Sequence, residues 1–154
     1  EKLGDIYQAQ GNFEQALEFF LKDLQLTEEL FKANPKSESL KNGLAISYEK
    51  LGSIYQAQGN FEQALEFFLK QTKLFEELFK ANPKSAELFK GLGISFFKLG
   101  QLFSQLGRRE ESRAYLEQAL HIFNQLAELT RIPQFAEWAA YVGRLLEGDP
   151  DQQA

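Results

Sequence analysis

His121 is the single imidazole of the chain, and there is no cysteine anywhere in it. An imidazole can act as general base, as partner of a nucleophile or as metal ligand. Each role needs company: a metal cluster wants further His or Cys ligands, and a triad wants a positioned nucleophile beside the base. With neither at hand, His121 reads as a partly exposed helix residue. Carboxylates are plentiful, yet Glu14, Glu18, Glu28, Glu29, Glu76 and Glu77 fall on faces expected to be solvated. There, charge maintains solubility and forms i,i+4 pairs that each contribute roughly 0.2–0.5 kcal/mol. No glycine-rich phosphate loop is found, because Gly11-Asn12 and Gly59-Asn60 read as turns between helices. The chain is therefore expected to bind rather than to catalyse, with neither cofactor nor metal.

The bulk properties narrow what it would bind. A formal net charge of -5 without a concentrated basic stripe argues against nucleic acid. No apolar run approaches the roughly eighteen residues of a membrane helix, so no membrane partner is expected. Fifteen phenylalanines predict an aromatic core, large enough in 154 residues to stand without disulfide or metal. Absence of cysteine fits a reducing cytoplasm, the expected location. Glu1-Lys2-Leu3-Gly4 lacks the apolar stretch of a secretion signal, and a helical pattern is already running at residue 1. The sequence thus reads as a piece of a longer protein.

The elements that position these residues come from an internal repeat. Glu1 to Gln10 returns with one change as Glu49 to Gln58, and Gly11 to Phe20 returns unchanged as Gly59 to Phe68. The period is 48 residues, and residues 1–48 agree with residues 49–96 at 37 positions. A third copy begins at Phe97-Lys98-Leu99-Gly100 and diverges after Gly107. Within each period two segments carry apolar residues at helical spacing, as in Phe13, Ala16, Leu17, Phe20 and Leu24. Gly11 can end one helix in the left-handed conformation, while Asn12 caps the next and Gln15 reaches back to it. Gly59, Asn60 and Gln63 repeat the device. Pro35 and Pro83 close the second helix of each pair, and either the preceding Asn or Ser37 and Ser85 start the next one. This punctuation predicts a short helix over 1–10 and then helices near 13–33, 38–58, 61–81, 86–106, 109–130 and 134–147. All connections are short, so neighbouring helices are antiparallel.

Leu51-Gly52, Tyr55, Gly59, Phe61, Ala64, Phe68 and a late Pro83 resemble the signature of the tetratricopeptide repeat family. The resemblance covers residues 1 to about 130 and implies an all-α, right-handed superhelical stack of antiparallel helix pairs. Three hairpins are expected over residues 1–132, the first truncated, with a C-terminal capping helix over 133–148 and a tail over 149–154. The usual unit has about 34 residues, so this one is similar to the extended repeats of kinesin light chain and the Leu-Gly-Asn adaptor proteins. The added length is nearly two turns per helix, which keeps the buried faces in phase to about 20°. Arg108, Arg109 and Ser112 depart from the Asn, Phe and Ala of the earlier units. Glycines within helices cost about 1 kcal/mol each relative to Ala, and close helix approach is the expected reason for Gly4, Gly43, Gly52, Gly91 and Gly100. Phe135, Trp138, Ala139, Val142, Leu145 and Leu146 form the stripe that would let the last helix cap the stack.

The resemblance implies a concave surface lined by first helices, which binds a peptide or helical segment of a protein partner. The face opposite the Leu-Gly-Tyr side reads Asn42, Ile46, Glu49, Ser53 and Gln56 in the second unit. In the third it reads Lys90, Ile94, Phe97, Gln101 and Ser104, and the truncated first unit adds Glu1, Asp5 and Gln8. Ile46, Ile94 and Phe97 are either apolar anchors for a partner or covered packing residues. The family's chaperone-binding subgroup holds C-terminal carboxylates through Lys and Asn at these positions. Glu1, Glu49 and Phe97, then Asp5, Ser53 and Gln101, occupy them here, and acidic groups repel a carboxylate, so that ligand is not expected. Two alternatives stand beside a binding scaffold. One is homo-oligomerisation through an apolar N-terminal edge around Leu3, Ile6, Tyr7, Phe19 and Phe20. The other is a sensor arm regulating an effector domain outside this sequence.

Overall fold

Serine, asparagine and glycine set the helix ends. The computed structural model describes residues 12–148, and among these it contains six α-helices. They are α1 (Phe13–Ala33), α2 (Glu38–Ala57), α3 (Phe61–Ala81), α4 (Ala86–Gln105), α5 (Arg109–Thr130) and α6 (Pro133–Glu147). Asn12 accepts from the backbone N–H of Gln15 at 3.3 Å, and its side-chain amide also meets Gln15 Oε1. Between Ser and Asn as starters of the next helix, Ser prevails. Ser37 Oγ accepts from Leu40 N–H at 3.2 Å and Ser85 Oγ from Leu88 N–H at 3.1 Å. Ser85→Ala should therefore cost about 1 kcal/mol, seen as an earlier urea midpoint with an unchanged slope. Gly59 and Gly107 adopt φ of 81° and 76°. Asn60 N–H then reaches Tyr55 O and Arg108 N–H reaches Phe103 O, the six-to-one bond that closes a Schellman turn. No helix of the described residues is long and apolar enough to cross a membrane.

The chain forms two compact units, residues 1–78 and 79–154. In the first, Ala16, Phe20 and Leu24 of α1 pack with Leu44, Tyr48, Leu51 and Ile54 of α2, and Phe13, Leu17, Phe31, Phe67 and Leu74 close around them. Gly52 is the point of closest approach: a Cβ there would lie 2.6 Å from Phe68 Cε1. Tyr55 stacks on Phe67 at 5.6 Å and Tyr48 tilts against the same ring at 6.0 Å. Burial first, and the Glu28 carboxylate second, raise the Tyr48 phenol above its usual 10.0. The folded state thus holds that proton more tightly than the unfolded chain. Its stabilising effect is complete below about pH 10 and is lost as the pH climbs through the folded-state value. Between about pH 9 and pH 11 the parent should lose more stability than Tyr48→Phe in parallel denaturant titrations.

In the second unit the same aromatic arrangement recurs 48 residues on with the residue types exchanged. Tyr115 stacks on Phe103 at 5.5 Å and meets Phe96 at 6.0 Å. Gly100 replays Gly52, since a Cβ there would lie 2.7 Å from Leu116 Cγ. Phe123 of α5 meets Trp138 of α6 edge-on at 5.4 Å, and Phe135 packs against the same indole. The divergent residues of the third copy find their own solutions. Ser112 is buried and donates to Gly100 O at 2.7 Å, which keeps α4 and α5 close. Arg108 makes no side-chain cap; its guanidinium lies 4.9 Å from the Phe103 ring and pairs with Glu111.

Several expectations need correction or fall outside the described residues. Phe20 is 1% exposed, so it belongs to the core and not to an apolar edge, because α2 covers it. Phe19 is exposed, while Leu3, Ile6 and Tyr7 lie outside the described residues. Gly43 has nothing nearer than Thr27 Cγ2 at 3.9 Å, so close approach does not explain it. Gly93, which the sequence did not single out, needs space as Gly52 and Gly100 do, since a Cβ there would lie 2.8 Å from both Ile122 and Phe123. Leu145 is exposed and leaves the buried stripe of α6, whereas Phe135, Ala139 and Val142 stay in it. Glu28 is half-buried rather than solvated. The helix expected over 1–10, Gly4 and the tail 149–154 also fall outside the described residues.

Candidate functional site

One stripe of α2 is only partly covered, because the rest of that helix is consumed by packing. Leu44, Ala45, Ser47, Tyr48, Leu51, Gly52 and Ile54 are buried. Asn42 and Ile46 are exposed, whereas Glu49, Ser53 and Gln56 are half-buried. These five advance by three or four residues and so share a stripe along the helix. Glu49 is anchored, since Gln71 Nε2 of α3 donates to its Oε2 at 3.4 Å. Gln71 is 1% exposed, and its Oε1 has no hydrogen-bond partner among the described residues. A buried acceptor left without a donor is uncommon and costly. Here it lies directly behind a residue of the α2 stripe.

The corresponding face of α4 lies in the second unit. Gln101 and Ser104 are exposed, and Lys90, Ile94 and Phe97 are half-buried. Lys90 pairs with Glu87 at 3.4 Å. Phe97 meets Tyr141 of α6 edge-on at 6.0 Å, and Arg144 lies 5.9 Å from the Tyr141 ring. Phe97 is therefore partly a packing residue, yet its ring partner Tyr141 is 46% exposed. Asp5 and Gln8 lie outside the described residues.

Two contributors escaped the sequence reading, and each left a trace in it. Gln71 sits on the apolar stripe Ala64, Phe68, Gln71, Phe75 and Leu78 of α3, where a polar residue breaks the pattern. Tyr141 is an aromatic off the buried stripe of α6. His121 is exposed on α5.

Comparisons with known proteins agree with this geometry. A tetratricopeptide repeat family profile matches residues 43–125, and a second tetratricopeptide repeat profile matches residues 1–35. Among solved structures, the N-terminal domain of stress-induced protein-1 from C. elegans is similar at a TM-score of 0.53 and 14% identity, over 92% of this chain and 90% of that one. MamA is similar at a TM-score of 0.30 and 16% identity, over 94% of each chain. No curated protein matches. At such identities the first structural likeness speaks for the helical fold alone, whereas the first profile takes in more than half of the 154 residues. The chain belongs to the tetratricopeptide repeat family.

Proposed function

We propose that this chain is a protein–protein interaction scaffold whose units each offer a half-open helix face to a peptide or helical segment of a partner, α2 in the first unit and α4 in the second. The observation that carries the reading is the division of each helix into a fully packed side and a mixed polar and apolar stripe. On α2 that stripe runs from Asn42 to Gln56, and on α4 from Lys90 to Ser104. Such a stripe offers hydrogen-bonding groups for a main chain and apolar anchor points at Ile46, Ile94 and Phe97. Helices of 20 to 22 residues over α1 to α5 support an extended-unit type with the 48-residue period.

A photo-crosslinking residue at Asn42 or Gln101 should trap the same partner bands, whereas one at exposed His121 on α5 should not. Equal trapping from all three positions would remove the proposal. Self-assembly through the N-terminal edge has no comparable support, since Phe20 is buried.

A further inference from the structure

A different face of α2 opens on a cleft of about 480 Å3 within the first unit. Phe31 of α1, Leu44 and Tyr48 of α2 and Leu74 of α3 form its floor. Leu44 and Tyr48 leave α2 on the side that faces α1 and α3, away from the stripe of Asn42, Ile46, Glu49 and Ser53. Four ammonium groups, of Lys32, Lys41, Lys70 and Lys73, line the cleft against two carboxylates, of Glu28 and Glu77. In a chain whose formal net charge is -5, this local excess of positive charge runs against the whole. Lys70 pairs with Glu66 at 3.4 Å and lies 5.7 Å from the Tyr48 ring and 5.6 Å from Phe67. Lys32, Lys41 and Lys73 form no ion pair with another described residue.

We propose that this cleft is a second docking site, whose occupant is an acidic peptide segment carrying one apolar anchor residue. The anchor would rest on Phe31, Leu44, Tyr48 and Leu74, and flanking carboxylates would meet the lysine rim. Charge complementarity selects the sign of the partner. The apolar floor selects a peptide over a polyphosphate, because it gives an apolar side chain a surface to bury, and Glu28 and Glu77 interrupt the positive rim against a continuous run of phosphates.

The test uses the full chain and a fluorescein-labelled hexapeptide, Glu-Glu-Phe-Glu-Glu-Ser, followed by fluorescence anisotropy at about 50 mM salt. Saturable binding is expected, weakened at least tenfold by Lys41→Glu together with Lys73→Glu, and unaffected by Ser53→Arg on the other face of α2. Replacing the peptide Phe by Ser should also weaken binding several-fold. A milder pair, Lys32→Gln with Lys73→Gln, should give an intermediate loss while far-UV circular dichroism stays that of the parent. Absence of binding at about 1 mM peptide, affinity indifferent to both lysine pairs, or equally tight binding of an oligothymidylate of similar charge would each overturn the proposal. Loss of binding on Ser53→Arg alone would place the peptide on the α2 stripe and overturn it as well.

Discussion

Phe68→Ala should remove about 3–5 kcal/mol from the stability of the protein. Phe68 is fully buried on α3, and its ring fills the space that Gly52 leaves open on α2. Truncation removes the ring but not the glycine, so the two helices face a void that neither can fill without moving. The coupling has a second signature. Gly52→Ala in the parent would drive a methyl group to within 2.6 Å of the ring edge and should destabilise. In a Phe68→Leu background the ring atoms it would strike are gone, and the same substitution should be tolerated or even favourable, because Ala is the better helix former. A double-mutant cycle by urea unfolding measures this coupling, expected at about 0.5–3 kcal/mol. Additive effects would contradict the close approach at Gly52.

Phe123→Ala is the corresponding prediction for the second unit, again at about 3–5 kcal/mol. Phe123 is 3% exposed, meets the Trp138 indole edge-on, and occupies the space above Gly93. One side chain therefore ties α5 both to α4 and to α6. Trp138 is the only tryptophan, so its fluorescence reports on this contact directly. The variant should show an altered emission spectrum in the absence of denaturant as well as an earlier midpoint. An unchanged spectrum with an unchanged midpoint would contradict the packing of α6 on α5.

These two contacts also mark what was legible in the sequence. Helix ends could be placed because proline, glycine and a serine or asparagine cap interrupt the apolar periodicity, and each has a local stereochemical reason to do so. The buried faces of α1 and α3 could be placed because Ala16 and Phe20, and Ala64 and Phe68, repeat at four-residue spacing. The meaning of a helical glycine could not be read in the same way. Gly43 and Gly52 occupy one helix, yet only Gly52 faces a ring, and that ring belongs to another helix. The third-copy substitutions were visible as departures, but their outcomes depend on partners elsewhere: Ser112 on the Gly100 carbonyl, Arg108 on Phe103.

The stripe on α2 was legible because it is a residue pattern within one helix. Tyr141 beside Phe97 was not, since that contact joins two helices through the tertiary fold. The lysine-rimmed cleft was less legible still. Its residues run from Glu28 to Glu77 across three helices, and no local pattern gathers them.

The account rests on partner binding by the half-open stripe of α2 in the first unit and that of α4 in the second. The most direct measurement is a proteome-derived peptide display screen against the parent and against a Ser53→Arg, Gln101→Arg variant whose circular dichroism and melting match the parent. Ser53 is half-buried and Gln101 exposed, and a bulky cation at either position obstructs the proposed surface without entering the core. The account predicts a set of peptides enriched on the parent and lost on the variant. Enrichment that is indifferent to both substitutions would contradict it.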